Sequence, residues 1–349
     1  MKKVLPDVCN IQYGYAFDSA KFSSDQGVPL IRIRDVVRGF SETYTTEECS
    51  EEYIVNNGDI LIGMDGEFNI AQWHGGKAYL NQRVCRLIPK DEINPLYLFY
   101  FMPRALKTIE DKTPFVTVKH LSAKELNKIV VPVPTLREQK EISSSLQKLD
   151  ELISLRKQQL SKLDDLVKSR FIEGFGDPIR NTQNRPTTDF INVVKMQRGF
   201  DLPVQDRQQD GDIPVFGSNG ALDRHNVAKV QGGGVITGRS GTIGKVYYTE
   251  GDYWPLNTSL FSVDTHGNNI IYLAYLLQMY DLSRFTEGTG VPTLNRNKFH
   301  NKPIIDVPLS EQELFASFVK QTDKSKLAIQ KSLDQLETLK KSLMQKYFG

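Results

Sequence analysis

The stretch TLREQKEISSSLQKLDELISLRKQQLSKLDDLVKSRFIEGFG runs from Thr135 to Gly176, and PLSEQELFASFVKQTDKSKLAIQKSLDQLETLKKSLMQKYFG runs from Pro308 to Gly349. Laid over each other without a gap, the two match at Leu136/Leu309, Glu138/Glu311, Gln139/Gln312, Asp150/Asp323, Leu160/Leu333, Leu163/Leu336 and Phe175-Gly176/Phe348-Gly349, every pair 173 positions apart. A repeat of this length decides the organisation of the chain before any local reading does. Thr135-x-x-Glu138 is a capping box, Pro132 and Pro134 precede it, and Gly174, Gly176 and Pro178 stand where a helix should stop. In between, Ile142, Leu146, Leu149, Ile153, Leu160, Leu163 and Val167 fall at alternating steps of four and three, skipping Arg156. This is the seam of a coiled coil. The same steps in the second stretch give Phe315, Val319, Thr322, Lys326, Ile329, Leu333, Leu336, Lys340 and Leu343, a seam weakened in its middle by Thr322 and Lys326. Its capping signal is displaced by two positions, Ser310 against Thr135, which leaves the start of that helix open.

Working outward, the flanking segments are mixed in pattern and repeat more faintly. Gly58-Asp-Ile-Leu-Ile-Gly63 resembles Gly233-Gly-Val-Ile-Thr-Gly238, each a short apolar strand between glycines. Leu80-Asn81 answers to Leu256-Asn257, and Pro95–Tyr100 to Ile270–Tyr275, each opening a helix. The offset drifts between 173 and 176, so small insertions separate the copies. The expected organisation is a mixed domain over 1–134, a central helix over 135–176, a second mixed domain over 177–307 and a C-terminal helix over 308–349. The fold class is α+β: two α/β domains separated by two long helices. Packed as an antiparallel coiled coil, the helices would relate the two domain–helix units by a pseudo-two-fold axis. Two-fold-related binding domains are how proteins read split DNA sites, whose half-sites lie roughly 34–36 Å apart for one helical turn.

Composition bounds the function. The chain has 349 residues, 39% hydrophobic and 25% charged, enough for two domains with their own cores. No apolar run approaches a membrane span, and the basic start Met-Lys-Lys lacks a signal-peptide apolar region, so a cytoplasmic location is expected. Cys9, Cys49 and Cys85 are scattered and form no C-x-x-C pair, and the five histidines are isolated, so no disulfide framework or metal site is suggested. Net charge is only +2; residues 1–134 carry 16 basic and 17 acidic side chains, and residues 177–307 carry 13 of each. A chain that gripped DNA alone through phosphates would show a basic excess, so partners are expected to supply much of that grip.

No catalytic constellation emerges. Gly238-Arg-Ser-Gly-Thr-Ile-Gly-Lys245 imitates a P-loop, but five residues separate Gly238 from Gly244 and Val246 follows the lysine, so the glycines read as a turn between strands. The Asn-Pro-Pro-Tyr/Phe motif of adenine methyltransferases is missing, and Glu110-Asp111-Lys112 reads as helix-end charge.

Pro134-Thr-Leu-Arg-Glu-Gln139, its second copy Pro308-Leu-Ser-Glu-Gln312, the heptad helix after each and the terminal Phe-Gly resemble the specificity subunit of type I restriction–modification systems. So do the Gly-Asp-Ile-Leu-Ile strand motif and Val291-Pro-Thr-Leu-Asn-Arg-x-x-Phe299. The resemblance covers the whole chain. It implies two target-recognition domains, each reading half of a bipartite site in double-stranded DNA, with the helices setting the unread spacer. It further implies docking of two methyltransferase subunits and of restriction subunits. S-adenosylmethionine, ATP and magnesium would belong to those partners, and this chain would supply the address and no chemistry. A protein-binding scaffold that has lost DNA reading is the alternative; an independent enzyme is opposed by the missing motifs.

Base edges are read by Arg, Lys, Asn, Gln, Ser and Thr on loops held by a rigid scaffold. In the first domain Arg32 and Arg34 alternate with Ile31 and Ile33, which predicts two arginines on one strand face. Asp65, Glu67 and Asn69 follow a strand in a loop, and Lys119 and His120 precede the domain's last helix. In the second, Ser218 and Asn219, then Arg239, Ser240 and Thr242, then Asn295 and Arg296 form the corresponding loops. Each of these residues has the plain alternative of a solvated turn.

Overall fold

The computed structural model describes residues 1–113, 119–288 and 292–349. Val291, the first residue of the second-domain motif, lies outside them. The chain divides into two compact units: Met1–Leu155 with Leu333–Gly349, and Arg156–Ser332. Each is α+β. Each takes one end of both long helices, so the unit boundary falls inside the helices and not at the ends of the mixed segments.

Unit 1 is built on an antiparallel sheet of β1 (Cys9–Tyr13), β2 (Ile60–Gly63), β3 (Ile70–Gln72) and β4 (Val84–Pro89), in the spatial order β1-β4-β2-β3. Unit 2 repeats it with β5 (Lys195–Arg198), β6 (Gly234–Gly238), β7 (Val246–Thr249) and β8 (Ser259–Asp264), in the order β5-β8-β6-β7. The Ile-Leu-Ile run explains its own position. Ile60 and Ile62 enter one core cluster with Leu98 and Met102 of the helix Pro95–Lys112, while Leu61 enters another with Ile31 and Trp73. A strand covered on both faces needs a continuous apolar run. In β6, Val235 and Ile236 divide between two clusters in the same way. Two glycines mark equivalent close approaches: a Cβ at Gly14 would lie 2.1 Å from the Asn81 carbonyl oxygen, and one at Gly199 would lie 2.2 Å from that of Leu256. Only glycine fits there. A second, mixed sheet in each unit packs beyond these, five short strands in unit 1 and three in unit 2.

The central helix is Leu136–Phe175 and the C-terminal helix Leu309–Phe348, 40 residues each. At 1.5 Å per residue each is about 60 Å long. Thr135 and Glu138 form the capping box: the Thr135 N–H donates to Glu138 Oε2 at 2.8 Å and the Glu138 N–H to Thr135 Oγ1 at 3.3 Å. The helix stops where Gly176 adopts φ +77° and its N–H donates to the Ile172 carbonyl. The C-terminal helix starts at the equivalent leucine, so Ser310 is its second residue and not a cap. Its motif glutamate, Glu311, instead pairs with Arg185 at 2.7 Å.

Within each unit the two helix segments run antiparallel. In unit 1, Ile142 and Leu146 share a cluster with Leu343 and Phe348, and Asp150 pairs with Lys340. In unit 2, Phe171 and Phe175 meet Phe315 with ring centroids 5.5 and 5.6 Å apart, and Lys326 pairs with Asp164 at 2.5 Å. The polar residues that interrupt the second seam are therefore occupied: Lys326 by that ion pair, and Thr322 by a hydrogen bond to the Phe318 carbonyl at 3.0 Å. Leu146, Leu149, Ile153, Val167, Phe315, Val319 and Leu333 are buried, and Ile142, Leu160, Leu163, Ile329, Leu336 and Leu343 half-buried. Leucines off the seam, among them Leu152, Leu155, Leu314 and Leu327, are exposed.

The repeated motif ends act at equivalent points. Gln139 is fully buried: its Nε2 donates to the carbonyls of Glu92 and Pro134, and its Oε1 accepts the Asn94 N–H at 2.7 Å. Gln312 does the same, donating to Asn268 Oδ1 and the Val307 carbonyl and accepting the Asn269 N–H at 2.8 Å. Asn94 and Asn269 in turn cap the helices Pro95–Lys112 and Ile270–Tyr280. At the far ends Phe348 packs on Tyr97 and Phe175 on Tyr272, with centroids 5.3 and 5.1 Å apart. The matched Asp150 and Asp323 differ in partner: Asp150 accepts from Tyr100 Oη on the helix Pro95–Lys112 at 2.8 Å, and Asp323 from Tyr248 Oη on β7 at 3.4 Å. Burial, reinforced by Asp323, pushes the Tyr248 hydroxyl up to about 12, so it stays a donor at neutral pH.

Candidate nucleic-acid interface

At the end of β2 the chain makes a cradle with a segment far away in sequence. Asp65 and His120 form an isolated antiparallel bridge, the Leu121 N–H donates to the Met64 carbonyl at 2.7 Å, and the Met64 N–H to the Arg83 carbonyl at 3.0 Å. At the end of β6 the same three features recur. Ser240 and Thr293 form the bridge, the Leu294 N–H donates to the Arg239 carbonyl at 2.8 Å, and the Arg239 N–H to the Thr258 carbonyl at 2.8 Å. Met64 thus corresponds to Arg239, Asp65 to Ser240 and His120 to Thr293.

The side chains on this shared frame differ. In unit 1 the Asp65 carboxylate meets His120 Nδ1 at 2.5 Å and Arg83 Nε at 3.5 Å. Lys119 is tied to Glu110, donating to its carbonyl at 2.8 Å. Glu67 is exposed, and the half-buried Asn69 accepts the Gly63 N–H on its main chain. Asp65, Glu67, Asn69, Lys119 and His120 therefore gather at one strand end. In unit 2 the turn from Arg239 to Lys245 joins β6 to β7, as its glycines imply. Ser218 lies against it, since a Cβ at Gly241 would sit 3.3 Å from Ser218 Oγ, and Asn219 is exposed at a hairpin tip. Asn295 caps the short turn Arg296–Lys298, accepting the Asn297 N–H at 3.1 Å. Arg239, Asn295 and Arg296 line one cleft of about 290 Å³, together with Arg198 and Thr293; Ser240 adjoins it by its bridge to Thr293, and Thr242 lies in the same turn.

Arg32 and Arg34 are a correction. The strand ends at Ile31; Ile33–Arg38 is a helix that Arg32 precedes and Arg34 enters. The alternation of Ile and Arg is overridden by Asp35, whose buried carboxylate accepts the Arg32 N–H at 2.9 Å, and by Gly39, which closes the helix at φ +77°. Both arginines are exposed, and Arg34 donates to Thr43 Oγ1 at 3.2 Å. Ile33 abuts Gly63, so this helix flanks the same strand end as the cradle.

Arg83, which holds Asp65, and Arg198, which lines the unit 2 cleft, were not singled out from the sequence. Neither stands in a motif; only chain tracing between distant strands finds them. The thiols of Cys9 and Cys85 are buried, and that burial pushes both up to about 12, so they stay protonated at neutral pH. Among the described residues no group of three or more His, Cys, Asp or Glu could hold a metal ion, and no helix is long and apolar enough to cross a membrane.

Comparison with known proteins gives one answer. The type I restriction modification DNA specificity domain family matches residues 1–165 and again 180–339. The chain is 39% identical over 166 residues to the EcoBI type I restriction enzyme specificity subunit of Escherichia coli, covering 47% of this chain and 35% of that one. It is 31% identical over 160 residues to the MjaVIII specificity subunit of Methanocaldococcus jannaschii, covering 44% and 38%. These alignments span little more than a third of the length of either relative. In fold it is similar to the S subunit of a type I restriction–modification system from M. genitalium, with a TM-score of 0.67 at 14% identity over 100% of this chain and 96% of the other. A chain from a structure of type I restriction–modification complex assembly gives 0.61 at 15% identity, over 100% and 97%.

Proposed function

This chain belongs to the type I restriction modification DNA specificity domain family, and from that premise we propose that it is the non-catalytic subunit that gives a type I restriction–modification complex its DNA sequence. Residues 1–134 and 177–307 are the two target-recognition domains, each reading one half of a bipartite site in double-stranded DNA. The helices over 135–176 and 308–349 fix the number of unread base pairs between the halves. Two methyltransferase subunits and the restriction subunits dock on this chain in the cytoplasm, and bring S-adenosylmethionine, ATP and magnesium with them.

The observation that carries this reading is the duplicated cradle. One backbone frame, with the same bridge and the same two main-chain hydrogen bonds, presents Met64, Asp65 and His120 in one copy and Arg239, Ser240 and Thr293 in the other. A frame kept while its polar side chains change is what two readers of different sequences require. The readers are drawn from Arg32, Arg34, Asp65, Glu67, Asn69, Lys119 and His120 in the first domain. In the second they are drawn from Ser218, Asn219, Arg239, Ser240, Thr242, Asn295 and Arg296. The near-neutral charge of both domains is consistent with partners that contribute to the grip on the phosphates.

The test is to assemble the chain with adenine methyltransferase subunits and select bound duplexes from a randomised library. Two short fixed stretches at constant separation are expected. One continuous stretch would contradict the reading; an assembled complex that selects no sequence would point to a scaffold.

A further inference from the structure

The geometry points to Arg239 as the residue that reads a guanine in the half-site of unit 2. This rests on the proposed DNA-reading function and adds the base and the residue.

Three observations carry it. The first is the exchange at one backbone position. In unit 1 the position holds Met64, only 5% exposed and part of the core. In unit 2 the same position, fixed by the same two main-chain bonds, holds a half-buried arginine. An arginine where the fold accepts an apolar side chain brings a desolvation cost in proportion to the burial of its charge. An acceptor from outside the chain offsets that cost.

The second is the state of the cleft. Its carboxylate, Glu287, is already held by Lys298 at 2.6 Å. Among the described residues, Arg198, Arg239 and Arg296 have no side-chain hydrogen bond or ion pair within the chain. Unit 1 does the opposite at the equivalent place, where Asp65 engages both His120 and Arg83. The two frames therefore favour different chemistry: a donor fork in unit 2, a carboxylate in unit 1.

The third is the placement of Arg239 in the sheet. Arg239 directly follows β6, an inner strand, and its N–H and carbonyl are both bonded, to Thr258 and Leu294, so its backbone is held where it lines the cleft. Arg198 is exposed at the end of an outer strand of the sheet, and Arg296 sits in a short turn. A planar fork on a fixed base suits the O6 and N7 acceptors of guanine, which demand direction. An exposed arginine such as Arg198 suits phosphates, which demand only charge.

The experiment uses the full chain assembled with methyltransferase subunits, selecting from a randomised duplex library. The wild type is expected to fix a guanine at one position of one half-site. Arg239→Ala and Arg239→Met should lose that preference alone, with affinity for the wild-type site down on the order of tenfold to a hundredfold. Arg239→Met installs the residue that the equivalent frame of unit 1 already accommodates, which guards against a folding failure. Replacing that guanine by 7-deazaguanine should weaken the wild type and leave Arg239→Met unaffected. Retention of the guanine by both variants would overturn the assignment. So would a uniform loss across all sequences, the signature of a phosphate contact. A split site indifferent to Arg239 refutes only this assignment; a wild-type complex that selects nothing refutes the function it rests on.

Discussion

Gln139 and Gln312 fasten the two long helices to their domains. Each amide is buried and makes three hydrogen bonds, two as donor and one as acceptor. Removing either side chain leaves buried backbone groups unpaired, which costs about 1–3 kcal/mol. Gln139→Ala and Gln312→Ala should each lower the urea midpoint accordingly, and an unchanged midpoint would deny them this role. His300 makes a prediction of opposite character. Its Nε2 accepts the Met196 N–H at 3.2 Å, and burial, helped by Arg296 and Lys195, lowers its pKa from 6.5. The folded state therefore binds this proton more weakly than the unfolded state. The stability contributed is complete above the ordinary histidine pKa and is lost as pH falls through and below it. Thermal melts should drop between pH about 7.5 and about 5.5, and less so in His300→Gln; equal drops would remove His300 as the cause. The glutamines were visible in the motif, yet their task was not. Spacing along a helix does not reveal that an amide reaches back 45 residues to Asn94.

At the scale of elements, the long helices were the most legible part of the chain. Caps, stop glycines and seam all lie within the stretch they govern, so local sequence is enough. The helix after Ile31 was illegible for the reverse reason. A four-residue alternation of Ile and Arg carries a strand signal, and one buried carboxylate at Asp35 outweighs it. The cradles were legible only as separate loops, because the contacts that join them, Asp65 to His120 and Ser240 to Thr293, close over more than fifty residues. The seam predicts a contrast. Leu146→Ala empties a fully buried site in the unit 1 core and should cost about 2–5 kcal/mol, whereas Leu152→Ala, 44% exposed, should change stability by less than about 0.5 kcal/mol. Similar losses in denaturant titrations would deny the seam. If the helices measure the spacer, four residues added after Leu155 should lengthen it without altering either half-site. A matching insertion after Gln335, five residues before Lys340 as Leu155 is five after Asp150, keeps the pairing in step. The added length is about 6 Å, or roughly two base pairs. An unchanged spacer would end the idea of a ruler.

For the molecule as a whole, the repeat carries the proposed reading, because a duplicated domain–helix unit suits two readers of like construction and independent content. Exchanging residues 177–307 for a homologous segment should therefore change one half of the recognised sequence and leave the other intact; changes in both halves would mean that the units do not read separately. The base sequence itself was not legible in the chain, since contacts through loops and the deformability of DNA set it together. The most direct measurement is to express the chain with adenine methyltransferase subunits in a host lacking such a system and map N6-methyladenine across the genome by single-molecule sequencing. The account predicts one split motif, two fixed stretches at a constant spacing, methylated throughout. A continuous motif, a variable spacing, or no new motif from a complex that assembles would contradict it.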